Sequence, residues 1–161
     1  MKKLFLTLLF AMFLVSSFSQ DKFFVGGSSG ITGFAGDIGY NVNLFPGYFL
    51  TEDISIGIDG WYGNVKSNEL FSATLYFEAG HSLTAIKLNE DRHINFTSAL
   101  GPGYIQAREN GEKQDGFSFL LGVNVNFILH PQFSFGIKTC SYLSALDDNP
   151  VNSNLYIRYR F

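Results

Sequence analysis

Apolar residues recur at every second position along most of this chain, and a period of two marks a β-strand with one apolar face. Phe117, Phe119, Leu121, Val123, Val125, Phe127 and Leu129 alternate with Ser118, Gly122, Asn124 and Asn126 among others. The last seven residues follow the same rule. Leu155, Ile157, Tyr159 and Phe161 fall on one face, and Tyr156, Arg158 and Arg160 on the other.

The same reading predicts eight strands in all. The first covers residues 23–31 and is rich in Gly and Ser. The second, residues 37–50, puts Ile38, Tyr40, Val42, Leu44, Tyr48 and Leu50 on one face. In the third, Ile54, Ile56, Ile58 and Tyr62 oppose Ser55, Gly57 and Asp59. In the fourth, Phe71, Ala73, Leu75 and Phe77 oppose Ser72, Thr74, Tyr76 and Glu78. The fifth sets Ile94, Phe96 and Leu100 against Asn95, Thr97, Gly101 and Gly103, and the seventh carries Phe133, Phe135 and Ile137. Polar turns are expected at Thr51-Glu52-Asp53, near Ser67 to Glu69, at Asn89-Glu90-Asp91-Arg92 and at His130-Pro131-Gln132.

The links after the second, fourth and sixth strands read as short. Those after the third, fifth and seventh read as longer and polar, notably residues 108–115 and 146–152. Short periplasmic turns and long outer loops are the habit of membrane barrels, so this asymmetry places both chain ends on the periplasmic side.

The start of the chain bears on location. Lys2 and Lys3 precede an apolar run over residues 4–15, followed by the small residues Ser17 and Ser19. This is the layout of a cleaved secretory signal peptide, with the cut expected before Gln20. Residues 1–19 are then the leader and residues 20–161 one barrel domain. The apolar run falls short of the roughly 20 residues a membrane-spanning helix needs, and no Cys near the cut offers a lipid anchor. Losing Lys2 and Lys3 takes the net charge from −3 to −5. No basic patch points to nucleic acid.

Composition decides which face of the strands points outward. Charged residues make up 16% of the chain, against about 25% in ordinary soluble domains. Phe and Tyr number 18 and 8, yet mean hydropathy is only +0.11, because half of each strand is polar. A soluble barrel would carry Lys, Glu, Arg and Asp on its polar face. Here the polar faces of the fifth and sixth strands hold Asn95, Thr97, Gly101, Gly103, Ser118, Gly122, Asn124 and Asn126, with no charge. Small uncharged residues suit a crowded lumen, and the large Phe, Leu and Val residues suit lipid. The expected fold is all-β: an eight-stranded antiparallel up-and-down transmembrane β-barrel.

Parity also places four charges inside. Asp59, Glu78, Lys138 and Arg158 lie on the inward faces of the third, fourth, seventh and eighth strands. Unpaired charges in a narrow lumen are costly. The two acids and two bases are therefore expected to meet as a paired cluster that plugs the barrel.

The closing strand, Leu155, Ile157, Tyr159 and Phe161, resembles the C-terminal strand of Gram-negative outer-membrane barrels. The run Gly47-Tyr48-Phe49-Leu50-Thr51-Glu52-Asp53-Ile54-Ser55-Ile56-Gly57 and the run Gly101-Pro102-Gly103-Tyr104 resemble segments recurrent in that group. The mature chain is thus similar to small eight-stranded barrels of the porin-like superfamily. The resemblance implies outer-membrane lipid as the surroundings and the barrel assembly machinery as a partner that reads the C-terminal strand. Eight strands leave no open channel by default, and a monomer is expected.

Little catalytic chemistry is visible. Some barrels of this resemblance are lipid-modifying enzymes, and one class carries a His-x-Ser pair with a carboxylate. Here Leu83, Asn95 and Gln132 stand two residues after His81, His93 and His130, so the pair is absent. The histidines lack the spacing of a metal site. Cys140 is the only cysteine and reads as a small lumen filler. The glycines of residues 30–36 do not form a nucleotide-binding fingerprint. Asp147 and Asp148 alone give too few oxygens for calcium. No cofactor, metal or catalytic residue is expected. The role expected is an integral outer-membrane barrel with a structural or surface-interaction function. The alternatives are a barrel mouth that binds a small ligand and, less favoured, a lipid-modifying enzyme.

Overall fold

The computed structural model describes residues 22–80, 86–87, 92–109, 112–146 and 148–161. Its long strands are β1 (Phe23–Phe34), β2 (Asp37–Phe49), β3 (Ile54–Val65), β4 (Asn68–Gly80), β5 (His93–Glu109), β6 (Glu112–His130), β7 (Phe133–Ser144) and β8 (Val151–Arg160). Each pairs antiparallel with its neighbour in the chain. β1 also pairs with β8, Phe24 opposite Arg160, so the sheet closes into a barrel with both strand termini at one end. Closure leaves no unpaired edge, which is what a sheet needs where lipid offers the backbone no partner.

The period of two sorts the side chains into an outer and an inner set. Ile38 and Leu155 are 74% and 70% exposed, while Phe24 and Asp59 are fully buried. The outward set is almost entirely aliphatic and aromatic from Ile31 on β1 round to Tyr159 on β8. This is the apolar belt of a transmembrane barrel.

The link lengths differ from the sequence reading. Residues 108, 109 and 112–115, expected in a loop, belong to the ladder: β5 and β6 stay paired up to Glu109 opposite Glu112. The polar stretch after β3 is likewise a two-residue turn, Lys66 and Ser67, before β4 starts at Asn68. The longest link, residues 81–92, follows β4 and sits at the end that holds the termini, with Ile86 and Lys87 paired to Ile94 and His93. The expected short-long asymmetry is therefore absent. The cause is physical: polar outward residues mark where a strand leaves the belt, and a hairpin can keep its ladder in water beyond that point. β1 is also longer than expected, ending in a tight turn where Ala35 and Gly36 both adopt positive φ, 52° and 77°. Two positive φ values match the right-handed twist of a two-residue hairpin. His81, the turn at Asn89 to Asp91 and Asp147 lie outside the described residues.

Candidate functional site

The lumen begins with a packing rule. Four of the inward aromatic side chains stand directly opposite a glycine on the next strand: Phe45 with Gly26, Phe24 with Gly47, Tyr76 with Gly57, and Tyr156 with Gly136. These rings use the space that a side chain would fill: a Cβ at Gly26 would overlap the Phe45 ring, and one at Gly47 the Phe24 ring. This accounts for Gly26 in the Gly-rich first strand. The interior also holds large residues that the sequence reading did not assign, since Phe24, Phe34, Phe45, Trp61, Leu120 and Tyr142 are buried inside. Their inward parity was readable from the sequence. The glycine partners that make room for them depend on register.

Between these rings sit the four inward charges. Asp59 on β3 pairs with Lys138 on β7. Glu78 on β4 pairs with Arg158 on β8 at 2.7 Å. All four are buried. Asp59 also accepts from Asn43 Nδ2 at 3.3 Å and from the Tyr142 hydroxyl at 3.5 Å. Glu78 is better supplied, accepting from Thr97 Oγ1 at 2.6 Å and Asn124 Nδ2 at 3.1 Å. Buried carboxylates need such donors to replace water.

Cations and rings alternate along the axis. Lys138 Nζ lies 4.9 Å from the Phe45 ring centre and 5.4 Å from that of Tyr76. Arg158 lies 5.7 Å from the Phe45 ring and 4.6 Å from that of Phe24. Arg160 covers Phe49 at 4.8 Å. Phe45 thus separates the two bases while attracting both, which lessens their repulsion. Beyond Asp59, Trp61 packs on Tyr142 with ring centres 5.2 Å apart. A second polar layer links Thr32 to Asn152 and Asn41 to Thr32, both at 2.8 Å.

Each mouth holds a small depression. At the end with the termini, about 90 Å³ is lined by Glu52, Asp53, Asn95, His130, Arg158 and Arg160 among others. At the other end, about 440 Å³ is bordered by Asp37, Lys66, Glu109, Glu112 and Asp148. Lys66 bridges to Asp37 at 2.6 Å across the two neighbouring turns. His93 opens β5 and His130 closes β6, both at the end with the termini. Cys140 is buried opposite Gly122. Among the described residues, no three His, Cys, Asp or Glu side chains are placed to hold a metal ion.

No protein-family model matches the sequence, and no curated protein does. Solved structures do match in shape. The Neisserial surface protein A is 12% identical with a TM-score of 0.62, covering 86% of this chain and 97% of its own. The N-terminal barrel domain of Pseudomonas aeruginosa OprF is 10% identical with a TM-score of 0.68, covering 88% and 98%. This is the fold of the small outer-membrane β-barrels. The outer membrane enzyme PagL shares it at 12% identity and a TM-score of 0.53, covering 86% and 99%. At such identities the likeness is one of fold, so the barrel's role rests on its own residues.

Proposed function

We propose that this chain is a non-enzymatic integral outer-membrane barrel, exported with a leader of residues 1–19 that is removed. Its role is structural or lies in surface contacts, and its lumen is closed. The observation that supports this best is a continuous apolar belt around an interior filled by two ion pairs and their rings. The outer-membrane barrels it resembles in shape support the location. Heat-modifiable migration in the outer-membrane fraction, with no steady conductance in planar bilayers, is the expected result. Recovery as a soluble periplasmic protein overturns the reading.

The closing strand is the proposed contact with the assembly machinery. Phe161 donates its backbone N–H to the Phe23 carbonyl at 2.9 Å, and its ring packs tilted against Phe23 and edge-to-face with Tyr159, ring centres 5.7 and 5.1 Å away. Deleting Phe161 should lower the amount of folded barrel recovered from outer membranes several-fold. Normal yield would remove this role from the terminal residue.

Orientation is open to labelling. With Cys140 changed to Ser, Asn149→Cys should react with a membrane-impermeant maleimide on intact cells, and Asp53→Cys should not. The reverse pattern inverts the topology.

Two other readings have partial support. The acidic depression near Asp148 suits a small cationic ligand at the end away from the termini. PagL shows that this fold hosts enzymes. Against a hydrolase, the described histidines His93 and His130 sit at the rim on the terminus side, and His130 Nδ1 is engaged by the Gln132 N–H at 3.3 Å.

A further inference from the structure

A proline inside a strand removes a ladder hydrogen bond, and sheets usually confine it to edges. A closed barrel has no edge, yet Pro46 lies within β2 and Pro102 within β5. The ladders record the consequence. β2 and β3 pair Leu44 with Gly60 and Gly47 with Gly57, but skip the two positions between. β4 and β5 pair Thr74 with Gly103 and Phe77 with Leu100, and again skip two. Both gaps match the loss of one bond each. Pro46 has no hydrogen for the Ile58 carbonyl, and Pro102 has none for the Leu75 carbonyl.

These two carbonyls are related. Ile58 and Leu75 are cross-strand partners within the β3–β4 hairpin, and both face the belt, 56% and 52% exposed. The hairpin is therefore deprived of a ladder bond on each flank, at one level, where lipid supplies no donor. Gly101 beside Pro102 lets the Leu75 carbonyl approach closely, since a Cβ there would overlap it.

The lumen offers the compensation. Both acids of the plug, Asp59 and Glu78, lie on this hairpin, and both bases, Lys138 and Arg158, lie on β7 and β8 across the barrel. We infer that the two ion pairs act as a latch that holds a proline-loosened β3–β4 hairpin in the barrel wall. The plug is then a conformational device: it sets how easily one hairpin moves against the other six strands, whatever the loops contact.

Amide hydrogen exchange on the full barrel in lipid nanodiscs tests this. In the wild type, the Ile58 and Leu75 amides should exchange at least tenfold faster than those of Ser29 and Ile31 in β1. Lys138→Met should speed exchange in β3 and β4 at least tenfold more than it speeds that of Ser29 and Ile31. Adding Pro46→Val and Pro102→Val, which restore both donors, should reverse most of that increase. Equal protection of the two regions in the wild type overturns the latch, and needs no variant to fold. So does loosening spread evenly around the barrel, or a Lys138→Met effect that the proline replacements leave unchanged.

Discussion

Lys138→Met should destabilise the barrel by about 3–5 kcal/mol, the usual cost of removing one partner from a buried ion pair. The change strands the Asp59 carboxylate in a place water cannot reach, with only the long contacts from Asn43 and Tyr142 left. Adding Asp59→Asn removes the stranded charge. The double variant should therefore be more stable than Lys138→Met alone, a non-additivity of up to about 3 kcal/mol. Arg158→Met should cost less than Lys138→Met, because Glu78 keeps Thr97 and Asn124 as donors and Arg158 borders the depression at the barrel mouth. Urea titration in lipid vesicles measures the wild type, Lys138→Met, Asp59→Asn, their double variant and Arg158→Met. Trp61, the only tryptophan and buried in the lumen, reports unfolding by its fluorescence. Additive costs within about 0.5 kcal/mol would show that Asp59 and Lys138 do not act as a pair.

Leu155→Arg should cost about 2–4 kcal/mol, the penalty for a cation on the lipid face near the middle of a transmembrane strand. Leu155 stands at the centre of β8 and is 70% exposed. If that exposure were to water, as in a soluble barrel, Arg would be tolerated with a change under about 0.5 kcal/mol. The same vesicle titration separates the two environments, since a result near zero removes Leu155 from lipid. Asn149→Arg, in the exposed link between β7 and β8, is the control and should cost about 1 kcal/mol, the loss of the hydrogen bond its Oδ1 accepts from the Ser144 N–H at 2.8 Å.

How far the sequence could be read follows from how local each feature is. The outer face is set by alternation along a single strand. Leu155, Ile157 and Tyr159 needed no partner to be recognised as one face. The inward charges Asp59, Glu78, Lys138 and Arg158 were legible for the same reason, as were strands β2, β3, β4 and β6. Loop boundaries were not. Polarity at residues 108–115 marks an exit from lipid, and the ladder continues into water on backbone bonds that no side-chain pattern reports.

Alternation, aromatic content and scarce charge by themselves determined an eight-stranded barrel with an apolar outside, because each is a property of one strand at a time. Only the tertiary structure decided which acid meets which base. Parity left Asp59 free to face either Lys138 or Arg158, and strand stagger around the closed barrel settled it. It likewise decided that Phe45 lies over Gly26 and Phe24 over Gly47, since register is a relation between two chain segments. The two prolines were visible at once as residues. That both rob the same hairpin, and that this hairpin carries both acids, emerges only when four strands are laid side by side.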